Sequence, residues 1–83
     1  MPTSSGTPVM YGRDTCGYTV KMKEQLIEDG VFEKFEYVDV TTQEGKQRYE
    51  STSADGVPYF EGNGKKAMGA MPTEVLMKKL GIN

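Results

Sequence analysis

Short apolar runs alternate along this chain with stretches that repeat at helical spacing. Pro8-Val9-Met10-Tyr11 is an apolar run that predicts a strand. Over residues 17–29 the spacing changes: Lys21, Glu24, Gln25 and Glu28 share one arc of a helix, while Tyr18, Val20, Met22, Leu26 and Ile27 spread over the other. Lys23 is the one exception on that apolar arc. Gly30 stands where a helix stop belongs, and Phe35-Glu36-Tyr37-Val38-Asp39-Val40 follows as a second strand. Strand, helix and strand in this order form a β-α-β unit, with parallel strands and a right-handed crossover.

Thr41-Thr42-Gln43-Glu44 has capping-box spacing and opens a second helix. Gly45 and the polar run to Ser53 leave that helix only Tyr49 as an anchor, so it is expected to be short or loose. Val57-Pro58-Tyr59-Phe60 and Lys66-Ala67-Met68 read as a hairpin turning through Asn63-Gly64, the dipeptide that best tolerates two positive φ angles. Pro72-Thr73-Glu74 starts a last helix with Leu76, Met77 and Leu80 inward, Lys78 and Lys79 in its final turn, and Gly81 as its stop. The predicted order is β-α-β-α-β-β-α in a single domain, with residues 1–7 as a flexible tail.

Composition removes whole classes of chemistry. With 83 residues there is room for one core only. One cysteine forbids an intramolecular disulfide, and the absence of histidine forbids a Cys-His pair or an imidazole metal site. Ten basic and twelve acidic residues are scattered without blocks, which leaves no footprint for nucleic acid or an anionic membrane. No apolar stretch approaches bilayer-spanning length, and Met1-Pro2-Thr3-Ser4-Ser5-Gly6-Thr7 lacks a signal core, so a cytoplasmic location is expected. A free thiol suits that reducing compartment.

The cysteine is placed where the first strand hands over to the first helix. The first N–H groups of a helix have no intrahelical partner, so a sulfur just before them sits among donors that favour its thiolate, the nucleophilic form. Arg13, three residues upstream, pushes the same way. The polar neighbours Arg13, Asp14, Thr15 and Gly17 place Cys16 at the surface, unlike a buried structural cysteine.

Three segments carry a resemblance. Tyr11-Gly12-Arg13-Asp14-Thr15-Cys16-Gly17-Tyr18-Thr19, Val57-Pro58 and Gly69-Ala70-Met71-Pro72-Thr73, in the element order above, resemble the active-site segment, the Thr-Val-Pro and the Gly-Gly-x-Ser-Asp loop of the glutaredoxins. The resemblance covers about residues 9–80. It implies a minimal thioredoxin fold, α/β, with a central four-stranded mixed sheet flanked by three helices. It further implies Cys16 as nucleophile with Thr19 beside it, a cis proline at Pro58, and glutathione held by Arg13, Tyr18, Val57, Pro58, Gly69, Ala70 and Thr73. Gln47 falls near a family position that contacts the glycyl carboxylate. Thr73 reads equally as a ligand residue or as a helix cap.

Departures from the family pattern set the chemistry. Thr19 stands where dithiol members carry a second cysteine, which leaves a monothiol cycle on glutathione mixed disulfides. Gly56 replaces the family's threonine, and Thr73 replaces the acidic residue expected for the glutathione ammonium. Cys-Gly-Tyr-Thr is similar to the Cys-Gly-Phe-Ser of monothiol members that share an iron–sulfur cluster, although their longer loop and Trp-Pro-Thr segment are missing. The leading expectation is therefore a monomeric glutathione-dependent thiol–disulfide oxidoreductase acting on glutathionylated or disulfide-containing proteins, with glutathione as co-substrate and no metal. The alternatives are a glutathione-linked iron–sulfur protein or a non-catalytic thioredoxin-fold binding module. An arsenate-type reductase, which also uses Cys-x-x-Ser/Thr, is disfavoured by chain length and the absence of a basic cluster.

Overall fold

Residues 7–82 are described by a computed structural model; the tail expected over residues 1–7 lies outside it, apart from an exposed Thr7. Elements follow in the order β1 (Val9–Gly12), α1 (Gly17–Glu28), a single 3-10 turn (Phe32–Lys34), β2 (Glu36–Asp39), α2 (Gln43–Glu50), β3 (Tyr59–Gly62), β4 (Lys65–Met68) and α3 (Thr73–Lys79). The four strands form one sheet in the order β2-β1-β3-β4. β1 pairs parallel with β2 and antiparallel with β3, and β4 closes the antiparallel hairpin. This is the α/β mixed sheet of a minimal thioredoxin fold, with the predicted element order.

Strand alternation sorts the core into two layers. Met10 and Phe60 point to one face, where they meet Met22, Leu26, Leu76 and Leu80 from α1 and α3; all six are essentially without solvent contact. Burying each such side chain contributes about 1.5 to 3 kcal/mol before conformational entropy is counted. Their neighbours Tyr11 and Tyr59 point to the other face with Val38, where Tyr49 of α2 packs on them. The sheet is thus covered by two helices on one side and by the short, polar α2 on the other.

Local details differ from the periodicity. The buried stripe of α1 is Thr19, Met22 and Leu26, whereas Tyr18 and Ile27, expected on the apolar arc, are exposed. Thr19 wins an inward position because β1 ends beneath it, as described below. Helix α2 is capped by Thr42, not Thr41: Thr42 Oγ1 accepts from Gly45 N–H at 3.0 Å, so the third helical residue is Gly45 and Glu44 cannot close the reciprocal box. Gly45 is required there, because a Cβ would collide with the backbone carbonyl of Asp39. β3 begins at Tyr59, two residues later than expected, which leaves Val57 and Pro58 as its approach.

The hairpin turn at Asn63 and Gly64 has the two positive φ angles expected of it. Asn63 also donates from Nδ2 to the carbonyls of Leu80 at 2.8 Å and Gly81 at 3.2 Å, so the turn closes the C-terminal end of α3. Among the described residues no helix is long and apolar enough to cross a membrane.

Candidate active site around Cys16

Gly12 is the last residue of β1, and four residues later Cys16 is the N-cap of α1. Between them the chain makes a tight turn, closed by Cys16 N–H donating to the Arg13 carbonyl at 3.1 Å. Cys16 keeps an extended backbone and makes no side-chain cap, so its sulfur is free to face outward; the residue is partly exposed. Its Sγ lies 3.8 Å from the carbonyl oxygen of Val57, the acceptor for the thiol proton.

Val57 precedes Pro58 through a cis peptide bond, as expected from the resemblance. Pro58 is fully buried, and its carbonyl accepts from Gly69 N–H at 2.8 Å. That bond ties the approach to β3 to the segment leaving β4, where Gly69 adopts φ +94°. Space around Gly69 is open, so it is this backbone angle that calls for glycine. Cys16, Val57, Pro58 and Gly69 are thereby assembled from three separate parts of the sequence.

Thr19 completes the centre. It is fully buried, and its Oγ1 has no hydrogen-bond partner while the thiol proton is directed at Val57. Its N–H and hydroxyl, in that order, are the main causes that hold the Cys16 thiol below its ordinary pKa. Partial desolvation opposes them, and the Tyr18 N–H and the Arg13 charge add smaller help. The helix-start N–H of Thr19 leads, as the handover from strand to helix predicts, with the Thr19 hydroxyl next and Arg13 adding least. A buried hydroxyl left unpaired beside a protonated sulfur gains a partner when the sulfur ionises, which is the arrangement that favours a thiolate.

An open groove of about 270 Å³ begins at Tyr18, two residues after Cys16, and runs between α1 and the segment before α3, lined by Tyr18, Lys21, Gln25, Ala70, Met71 and Pro72 among others. The Tyr18 ring is 68% exposed there, so it is a rim residue, not a core one. Thr73 opens α3 but does not cap it: Pro72 is the N-cap, and Thr73 Oγ1 accepts from Gln25 Nε2 at 3.0 Å. Gln25 also donates to the Met71 carbonyl at 2.8 Å, pinning the segment to α1. Arg13 is exposed in the turn, and Gln47 is exposed on α2 and does not line the groove.

Four participants were not singled out from the sequence. Gly12 has no room for a Cβ, because the Thr19 methyl group fills that space. Gln25 was placed on the solvated arc. Asp14 and Lys23 form an ion pair of 3.2 Å over the Tyr37 ring, whose centroid lies 4.3 Å from the Lys23 ammonium. The signal for Lys23 was present in the chain, as the single charge on the apolar side of α1. Among the described residues no group of three or more Cys, Asp or Glu side chains is arranged to hold a metal ion.

A scan of protein-family models returns no match to this chain, and a search of curated proteins likewise returns none.

Proposed function

We propose that this protein is a glutaredoxin-like thiol–disulfide oxidoreductase that works by a monothiol mechanism on glutathione mixed disulfides. The observation that carries this reading is the unpaired, fully buried Thr19 hydroxyl beside a partly exposed Cys16, itself set against the Val57 carbonyl. The Cys16 thiolate attacks the glutathione sulfur of a glutathionylated protein, the protein thiolate leaves and takes up a proton, and Cys16 carries the glutathionyl group. A second glutathione thiolate attacks that mixed disulfide, releasing oxidised glutathione and restoring Cys16. The net change is an exchange in which one incoming glutathione is consumed, the substrate protein regains its thiol, and the two glutathionyl sulfurs leave joined as oxidised glutathione, so no internal thiol is needed.

Two further observations support the assignment of roles. The Val57 carbonyl lies at the sulfur, where the backbone of an extended cysteinyl segment would pair with it. The adjacent groove offers Lys21 to a carboxylate, while Thr73 brings only a hydroxyl already shared with Gln25, so the ammonium end of glutathione is held weakly. Glutathione-dependent release of a glutathionylated peptide tests the proposal. The natural protein should turn over and Cys16→Ser should not; equal rates for the two would overturn it.

A further inference from the structure

Gln25 stands on α1 nine residues after Cys16 and lines the groove together with Lys21, one turn before it. Its Nε2 donates to the Met71 carbonyl at 2.8 Å and to Thr73 Oγ1 at 3.0 Å, and lies 3.9 Å from Met22 Sδ. A carbonyl oxygen can only accept, so the amide is locked with its nitrogen toward the segment before α3, and both hydrogens are spent there. Its Oε1 has no partner among the described residues and is not sealed in the core. Gln25 therefore brings an uncommitted acceptor to the groove, whose only charged lining side chain among the described residues is Lys21.

Both walls of the groove lead back to the sulfur. On one side α1 starts from Cys16, and nine residues rise about 13 Å along its axis. Helical side chains lean toward the N-terminus, which brings the Gln25 amide nearer by part of a turn. On the other side Gly69 N–H is held by the Pro58 carbonyl at 2.8 Å, next to Val57, whose carbonyl lies 3.8 Å from Cys16 Sγ. The chain runs on from Gly69 through Ala70 to Met71, where Gln25 takes hold. In glutathione the sulfur and the ammonium belong to adjoining residues, a span of about 7 Å for two extended residues that the γ-linkage lengthens.

We infer that Gln25 sets specificity for the γ-glutamyl end of glutathione: its Oε1 accepts from the ammonium while Lys21 faces the carboxylate of the same group, and its Nε2 holds the groove wall in place. Thr73 is unsuited to the first task, because its oxygen already receives Gln25 Nε2 and its own O–H is a donor. A neutral amide oxygen thus stands in for an acidic side chain, and it recognises the ammonium with the modest preference of an uncharged acceptor. The inference rests on glutathione being the substrate, as proposed above.

Single-turnover transfer of the tripeptide from a peptide mixed disulfide to Cys16, read by intact mass, tests it with two disulfides. One carries glutathione, the other a des-amino analogue whose ammonium is replaced by hydrogen. The natural protein should react roughly threefold to tenfold faster with the glutathione disulfide, the equivalent of one ordinary hydrogen bond. Gln25→Met should bring that ratio to about one, whatever loss of the Met71 and Thr73 bonds does to both rates, with Cys16 alkylated by iodoacetamide as in the natural protein. Thr73→Asp, which keeps an acceptor for Gln25 Nε2 and adds a negative charge beside the ammonium, should widen the ratio; it and the natural protein decide the matter even where Gln25→Met does not fold. Equal rates for the two disulfides in the natural protein would overturn the inference. So would an unchanged ratio in Thr73→Asp, or a natural ratio in Gln25→Met with both rates lowered, because Gln25 would then only brace the segment. No transfer from either disulfide to a Cys16 that alkylates freely is a different result: it removes glutathione as the substrate, and this inference with it.

Discussion

Gly12 and Thr19 occupy one another's space: the γ-methyl of Thr19 fills the position a Cβ on Gly12 would take, at the point where β1 passes under the first turn of α1. The contact fixes the side chain whose hydroxyl serves the Cys16 sulfur. Gly12→Ala should therefore lower stability by about 1 to 3 kcal/mol, the usual cost of forcing atoms into a packed site. Because the second change removes the colliding methyl, Gly12→Ala combined with Thr19→Ser should recover part of that loss. Denaturant unfolding of the single and double variants measures it, and strictly additive losses would contradict the contact.

Removing the Thr19 hydroxyl while keeping its shape isolates its electrostatic part. In Thr19→Val, alkylation of Cys16 below the midpoint should slow by roughly three- to tenfold, the equivalent of one ordinary hydrogen bond. The midpoint should rise. Thr19→Ser, which keeps the hydroxyl, should react much as the natural protein does.

Thr19→Cys should place a second sulfur where the hydroxyl now faces Cys16, within disulfide reach. That variant is expected to form an internal disulfide and to expel bound glutathione, whereas the natural protein stops at the mixed disulfide. Intact mass distinguishes a variant lacking two hydrogens from one carrying a glutathionyl group. A stable adduct on the variant, with no internal bond, would mean that residues 16 and 19 do not face each other.

The tyrosines make the fold sensitive to alkali. Burial chiefly, with neighbouring carboxylates, pushes Tyr37 and Tyr59 up to about 12, and Tyr11 is raised for the same first reason. Their neutral forms are favoured in the folded state. This contribution is thus complete below about pH 10, where an unfolded tyrosine ionises, and is lost as pH rises through the folded values. Ultraviolet titration of the phenols, followed together with circular dichroism, should show Tyr37 and Tyr59 ionising only near pH 12 or with unfolding. Ionisation near pH 10 in an intact fold would contradict the burial described for them.

The element order was legible because alternation, glycine stops and the Asn63-Gly64 turn are local signals, each acting within a few residues. Cys16 was legible for the same reason, since a strand-to-helix handover is written in the adjoining segments. What escaped depended on contacts across the chain. Tyr18 looks apolar but rims a groove; Gln25 looks solvated but bonds to Met71 and Thr73, more than forty residues away. The N-cap of α2 fell on Thr42 in place of Thr41 because Gly45 must lie against the Asp39 carbonyl, a fit that capping-box spacing alone does not reveal. Thr19 was recognised as the residue in place of a second thiol, yet its fixation by Gly12 required the crossing of β1 and α1 to be seen.

The most direct test of the central claim is the intact mass of the natural protein after exposure to oxidised glutathione and again after reduced glutathione is added. The account predicts one glutathionyl group per chain, carried on Cys16 and removed by the second thiol, with Cys16→Ser taking up none. A natural protein that acquires no glutathionyl group while its Cys16 alkylates freely would contradict it, since the sulfur would then be reactive in a site that does not accept glutathione.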